Sequence, residues 1–282
     1  MGGVDSGRKT KIMAIITISR GTLSGAKSVA EQTAARLGYP CVSREVIVDA
    51  ARECGIEEGK LVSIMDEPPP YWKEAPGKRV AYLNAIVAAL LERVEGGNLV
   101  YHGHLAHLLL HGISHVLRVR IVANLEFRVR AMMDQEGLDR EEAIAAIDKL
   151  DKHRARWAHF LYGVEWQDPS LFDVTFNLER MSVEGTVSAI VRLAESEDFR
   201  ATPDSLKAHA DLKLGSQVWT ALIREERTKG SSLRVSANDG HVTVVGSVAS
   251  ARVLEAIPEV ARRVPGVKEV HCEAGMGSDW FW

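Results

Sequence analysis

The stretch Gly21-Thr22-Leu23-Ser24-Gly25-Ala26-Lys27-Ser28 carries the strongest chemical signal in the chain. It follows the phosphate-loop pattern GxxxxGK[ST], except that Ala26 stands in place of the second glycine. In such a loop successive backbone N–H groups form a nest for an anion, and the helix that follows adds its positive end. A lysine at the place of Lys27 reaches the β- and γ-phosphates of a nucleotide, and a hydroxyl at the place of Ser28 sits on Mg²⁺. The expectation is therefore ATP with Mg²⁺ along Gly21 to Ser28, with Ser28 as the metal ligand. The alternative is an ordinary glycine-containing turn. The Ala26 methyl is expected where a phosphate needs close approach to the backbone.

Two further groups could do chemistry. Arg128/Arg130 and Arg154/Arg156 are planar, permanently charged donors suited to phosphate. Within each pair the spacing is i, i+2, so only one member faces a common site. Asp151 stands three residues before Arg154 and could orient it. His102, His104, His107, His111 and His115 form a histidine-rich stretch. No acidic or thiol ligand lies close to them, which favours packing and surface positions over a metal.

These residues need elements to position them. Ile12 to Ser19 is a continuous apolar, β-branched run, the pattern of a buried parallel strand. Ala26 to Leu37 has Val29, Ala30, Thr33, Ala34 and Leu37 on one helical face and Gly38 as its stop. Strand, loop and helix in that order supply the context a phosphate loop requires. The predicted elements continue with a short strand over Tyr39 to Val42, a helix over Glu45 to Cys54 and an irregular connector over Asp66 to Pro76, where four prolines fall. A helix over Arg79 to Val94, strands over Asn98 to Tyr101 and Val116 to Val122, and helices over Leu105 to Leu110, Leu125 to Gln135 and Arg140 to Phe160 follow. A strand over Phe172 to Asn177 and a helix over Val183 to Ser196 close the unit. Strands alternating with helices predict an α/β fold, a doubly wound parallel sheet.

The composition turns polar over Glu197 to Ser205, so two domains are expected, 12–197 and 204–275. The second reads helix, strand, Asn238-Asp239-Gly240 turn, strand, helix, strand, a compact αββαβ unit; Asp-Gly between alternating β runs is a strong hairpin signal. At 282 residues with 46% hydrophobic and 26% charged residues, the chain can bury real cores. A net charge of −3 gives no electrostatic case for nucleic acid. The scattered Cys41, Cys54 and Cys272 suit a reducing compartment, and no apolar run is long enough to span a bilayer, so a cytoplasmic location is expected.

Residues Ile16 to Val42 (ITISRGTLSGAKSVAEQTAARLGYPCV) resemble the opening of the cytidylate kinase-like family. The similarity continues through NLVYHGHLAH at Asn98 to His107, VRIVANLEFRVRAMM at Val119 to Met133, LDKHRARWAHFLYG at Leu150 to Gly163 and FDVTFNLERMSVEGTV at Phe172 to Val187. The resemblance implies a P-loop nucleoside-monophosphate kinase fold and transfer of the ATP γ-phosphoryl group to a nucleoside monophosphate or a similar small acceptor. It points to Lys27, Arg128 and Arg154 as catalytic residues. There are departures: Ser43 where the family usually carries Asp, Gly103-His104 for its Gly-Arg pair, and no acidic residue closing the strand Asn98 to Tyr101. All three concern the acceptor or the metal, and they leave a non-catalytic nucleotide sensor as the second reading.

Residues 206–273 resemble a BON domain, through NDGHVTVVGSV at Asn238 to Val248 and ARRVPGVKEV at Ala261 to Val270. That resemblance implies a module that binds phospholipid or a protein partner and does no chemistry. The tail Asp279 to Trp282 is aromatic, and packing on a neighbour is expected for it.

Overall fold

A computed structural model describes residues 14–43, 52, 84, 86–91, 93–94, 98–103 and 106–276. The predicted helix over Glu45 to Cys54, the proline-rich connector, His104 and the tail Asp279 to Trp282 fall outside the described residues, apart from residue 52.

The larger domain is built on a five-stranded, wholly parallel sheet. Its strands are β1 (Ile15–Arg20), β2 (Cys41–Val42), β3 (Leu99–His102), β4 (Val116–Val122) and β5 (Val174–Asn177), in the spatial order β2-β3-β1-β4-β5. From β1 the chain runs outward to β2, returns through β3 and then crosses to β4 on the other side of β1. The strand order thus reverses at the carboxyl end of β1, the place where open α/β sheets bind ligands.

β1 is buried from Ile15 to Ser19, as its unbroken apolar run predicts. On one sheet face Ile16, Ile18, Val100, Leu117, Val119 and Ile121 pack under α1 (Ala26–Leu37) and α5 (Val183–Ala194). α1 buries Val29, Ala30, Thr33 and Ala34 and ends at a left-handed Gly38, whose N–H bonds back to Ala34 and Ala35. The other face carries Ile15, Leu99, Tyr101 and Val116 in a second cluster with Ala158 and Trp166. The short helix α2 (Ala106–Leu109) belongs to that side.

α3 (Leu125–Glu136) and α4 (Arg140–Tyr162) form an antiparallel pair with a small core of Val129, Met132, Ala143 and Ile147. Asn124 caps α3 by accepting from the Phe127 N–H at 2.7 Å. Asp139 and Glu142 close a capping box on α4, with bonds of 2.9 and 3.1 Å.

The second domain has the order α6 (Pro203–Arg224), β6 (Ser232–Asn238), β7 (His241–Val248), α7 (Ala251–Ala261), β8 (Glu269–Met276). β6 and β7 make an antiparallel hairpin, and β7 pairs in parallel with β8. The turn residues Asp239 and Gly240 both have positive φ, 50° and 83°, the backbone a two-residue hairpin turn requires. A Cβ at Gly240 would also lie 2.9 Å from the Gly266 carbonyl oxygen.

α6 does not belong to the second domain alone. Val218 and Leu222 sit in its core, whereas Ala208 and Leu212 pack against the larger domain and the His209 ring meets His115 with centroids 6.4 Å apart. Among the described residues no helix is long and apolar enough to cross a membrane.

Candidate active site

Gly21 to Ser28 follow β1 directly and lead into α1, at the point where the strand order reverses. The Gly21 N–H bonds to the Ile121 carbonyl at 3.3 Å, so the loop starts as a continuation of the β1–β4 ladder. Leu23 adopts φ 55° and Gly25 φ 81°, two left-handed residues that turn the chain sharply. Gly25 is the N-cap of α1 and no side chain caps that helix. The N–H groups of its first turn have no intrahelical acceptor, which is what an anion site at a helix start needs. The Ser24 hydroxyl is buried inside the loop without a partner, and native structures hold few such atoms. These features fit a phosphate group.

Ala26 departs from its expected place. Its side chain is 1% exposed and belongs to the core between the sheet, α1 and α5. The methyl fills a packing position and does not project into the open loop. Lys27 is exposed, its ammonium 3.8 Å from Glu31 one turn on. The Ser28 hydroxyl accepts from Gln32 Nε2 at 2.9 Å and remains half-buried. Among the described residues no group of three or more acidic, histidine or cysteine side chains could hold a metal.

The loop is fastened to the α3–α4 pair. Leu23 packs against its small core. Arg128 of α3 donates from Nε to the Thr22 carbonyl at 2.9 Å and pairs through Nη2 with the Asp151 carboxylate of α4. The Thr22 hydroxyl donates to Asp151 Oδ1 at 3.0 Å and accepts from Arg154 Nη1, which also lies 3.5 Å from Asp151 Oδ1. Arg128, Arg154, Asp151 and Thr22 therefore form one network. Arg130 and Arg156, two residues further on, are exposed, as the i, i+2 argument requires.

One arginine of this region was not singled out from the sequence. Arg120 of β4 points to the sheet face carrying Trp166 and Phe172. Its guanidinium lies 5.6 and 5.3 Å from those ring centroids and donates to the Gln167 carbonyl at 2.8 Å. Burial holds its pKa below the usual arginine value, against the pull of Asp151. Its neighbour Arg118 pairs with Asp173, donating from Nη2 at 2.6 Å and Nε at 3.2 Å, while the Arg118 backbone N–H bonds to the same carboxylate at 2.8 Å. The alternation Val119-Arg120-Ile121 was the available signal, because an arginine inside a buried strand demands a reason.

His107, one of the histidine stretch, is 2% exposed and packs on Phe172 with centroids 4.3 Å apart. Burial first, then Arg118 and Arg120, push its pKa down to about 3. Gly103 is hemmed in by the preceding strand: a Cβ there would lie 2.8 Å from the Tyr101 hydroxyl.

Residues 15–180 match the family model described as the cytidylate kinase-like family. The chain belongs to the cytidylate kinase-like family. Residues 210–274 match the BON domain, so a BON domain follows the cytidylate kinase-like one. A cytidylate kinase of Methanopyrus kandleri is 27% identical over 200 residues, covering 66% of this chain and 98% of that protein. One of Ignicoccus hospitalis is 28% identical over 184 residues, covering 64% and 99%. An uncharacterized protein from Eubacterium ventriosum has a solved structure that superposes with TM-score 0.51 at 19% identity, covering 65% of this chain and 99% of that one; it shares the fold. Membership of the cytidylate kinase-like family supports kinase-type phosphoryl transfer.

Proposed function

We propose that the larger domain transfers the γ-phosphoryl group of ATP to a nucleoside monophosphate or a similar small acceptor, and that the BON domain is a binding or regulatory module. The observation that carries this reading is the network of Arg128, Asp151, Arg154 and Thr22, which ties the Gly21–Ser28 loop to the α3–α4 pair. Phosphoryl transfer asks little covalent chemistry of a protein. It asks for positioning and for neutralisation of spreading charge.

In this reading the loop amides and Lys27 hold the nucleotide phosphates, and Ser28 meets the Mg²⁺ that comes with them. The ion would neutralise phosphate charge and orient the transferring group. Asp151 pairs with both guanidinium groups and keeps them in place beside the loop. Arg154 lies on the Thr22 hydroxyl and can turn from it to charge that develops during transfer. We place the two domains at 12–197 and 204–275, in the cytoplasm, with phospholipid or a protein as the module's partner and with no nucleic-acid role.

A second reading, a nucleotide sensor without transfer, is favoured by one observation. β3 ends in Tyr101-His102 with no carboxylate to support a metal. A phosphoryl-transfer screen of the full chain with ATP and Mg²⁺ against nucleoside monophosphates separates the two. Turnover with any acceptor supports the kinase. ATP binding without turnover supports the sensor.

A further inference from the structure

Arg128 and Arg154 pair with one carboxylate, Asp151, and the charge of Asp151 also reaches Arg120. Such an excess of positive charge in a part-buried place calls for an anion. The three are not equally engaged. Arg128 bonds to the Thr22 carbonyl and Asp151, and Arg154 to the Thr22 hydroxyl and Asp151. Among the described residues Arg120 makes a single hydrogen bond, to the Gln167 carbonyl. A guanidinium carries five N–H donors, so most of them face no acceptor among the described residues, on a side chain that is half-buried.

Its position is fixed. Trp166 and Phe172 are 3% and 8% exposed and pack against the charged group. Arg120 is in register with Ser19 of β1, and the next residue, Ile121, accepts the N–H of Gly21 at the start of the phosphate loop. α1 lies on the opposite sheet face, under Val119 and Ile121. A phosphate at Arg120 would therefore lie beside the loop's root, on the face away from the helix that receives the nucleotide phosphates.

We propose that Arg120 forms an anion subsite for the phosphate of the acceptor, held ready by Trp166, Phe172 and the Gln167 carbonyl. This rests on the phosphoryl-transfer reading for the identity of the anion. The anion site itself is read from the geometry.

The test is calorimetric titration of the full chain with the phosphate loop filled by a non-transferable ATP analogue. CMP, inorganic phosphate and cytidine serve as probes. Arg120→Gln should weaken CMP and inorganic phosphate roughly tenfold or more, the factor that charge-assisted hydrogen bonds supply. Cytidine binding and the affinity for the ATP analogue should stay within about twofold, and Arg120→Lys should recover part of the loss because the charge remains. Arg192→Gln, an exposed arginine on α5, should change nothing. Unchanged anion binding in Arg120→Gln overturns the subsite, as does an equal loss of the ATP analogue or a wild type that binds neither anion. A wild type that binds CMP through Arg120 yet transfers no phosphoryl group keeps the subsite and removes the kinase reading, so the two failures are distinguishable.

Discussion

Asp151→Ala probes the network that fastens the phosphate loop. The carboxylate accepts from the Thr22 hydroxyl at 3.0 Å and pairs with Arg128 and Arg154. The side chains of Arg128, Arg154 and Asp151 are only 14%, 19% and 21% exposed. Removing the acid leaves two mostly buried cations facing each other across a vacated space. Fully buried pairs cost about 3–5 kcal/mol when broken and exposed ones about 0–1 kcal/mol. With these partly buried side chains we expect about 2–3 kcal/mol, and hence a melting transition of the larger domain lower by roughly 4–12 °C. Asp148→Ala is the control. It removes a pair with Lys152 whose side chains are 57% and 64% exposed, and should cost less than about 0.5 kcal/mol. The assay is thermal denaturation followed by circular dichroism. Asp151→Ala melting within error of Asp148→Ala would refute the claim that the network holds the loop.

Two other predictions follow from burial. Ala26→Gly should destabilise the larger domain by about 1 kcal/mol or more, from a lost buried methyl and a glycine in the helix; an ATP affinity that rises with no loss of stability in denaturant titrations would restore the methyl to the phosphate's path. His107 titrates at about 3 when folded against about 6.5 when unfolded. Its neutral form is the folded one, so its contribution is complete above pH 6.5 and falls by about 1.4 kcal/mol per pH unit below that. Burial lowers His115 and His209 in the same direction. His107→Leu should flatten the decline of melting temperature between pH 6.5 and 5, and an unchanged slope contradicts the assignment.

Much of the fold was legible because its signals are local. The apolar run of β1, the spacing of Val29, Ala30, Thr33 and Ala34, the stop at Gly38 and the Asp239-Gly240 turn each depend on a few adjacent residues. The choice of Arg128 and Arg154 over Arg130 and Arg156 came from resemblance, and spacing alone could only halve the candidates. What the sequence could not show depends on register and on neighbours distant in the chain. Arg120 looks like one of two arginines in an otherwise apolar strand until β4 is laid beside β1 and Trp166 and Phe172 pack against it. Ala26 reads as a flaw in a glycine pattern until α1 is packed on the sheet. The periodicity of α6 shows that the helix is amphipathic, but not that Ala208 and Leu212 serve one core while Val218 and Leu222 serve another.

The measurement that bears most directly on the proposed function is turnover of the full chain with ATP and Mg²⁺ against a panel of nucleoside monophosphates, for wild type and Arg154→Ala side by side. An arginine that meets charge developing in transfer is worth up to roughly three orders of magnitude in rate, far beyond a surface ion pair. The prediction is turnover with at least one acceptor and a large loss in kcat for Arg154→Ala, with ATP affinity little changed. Wild-type protein that binds ATP but turns over none of the acceptors, with Arg154→Ala binding ATP equally well, would contradict phosphoryl transfer and leave the nucleotide sensor.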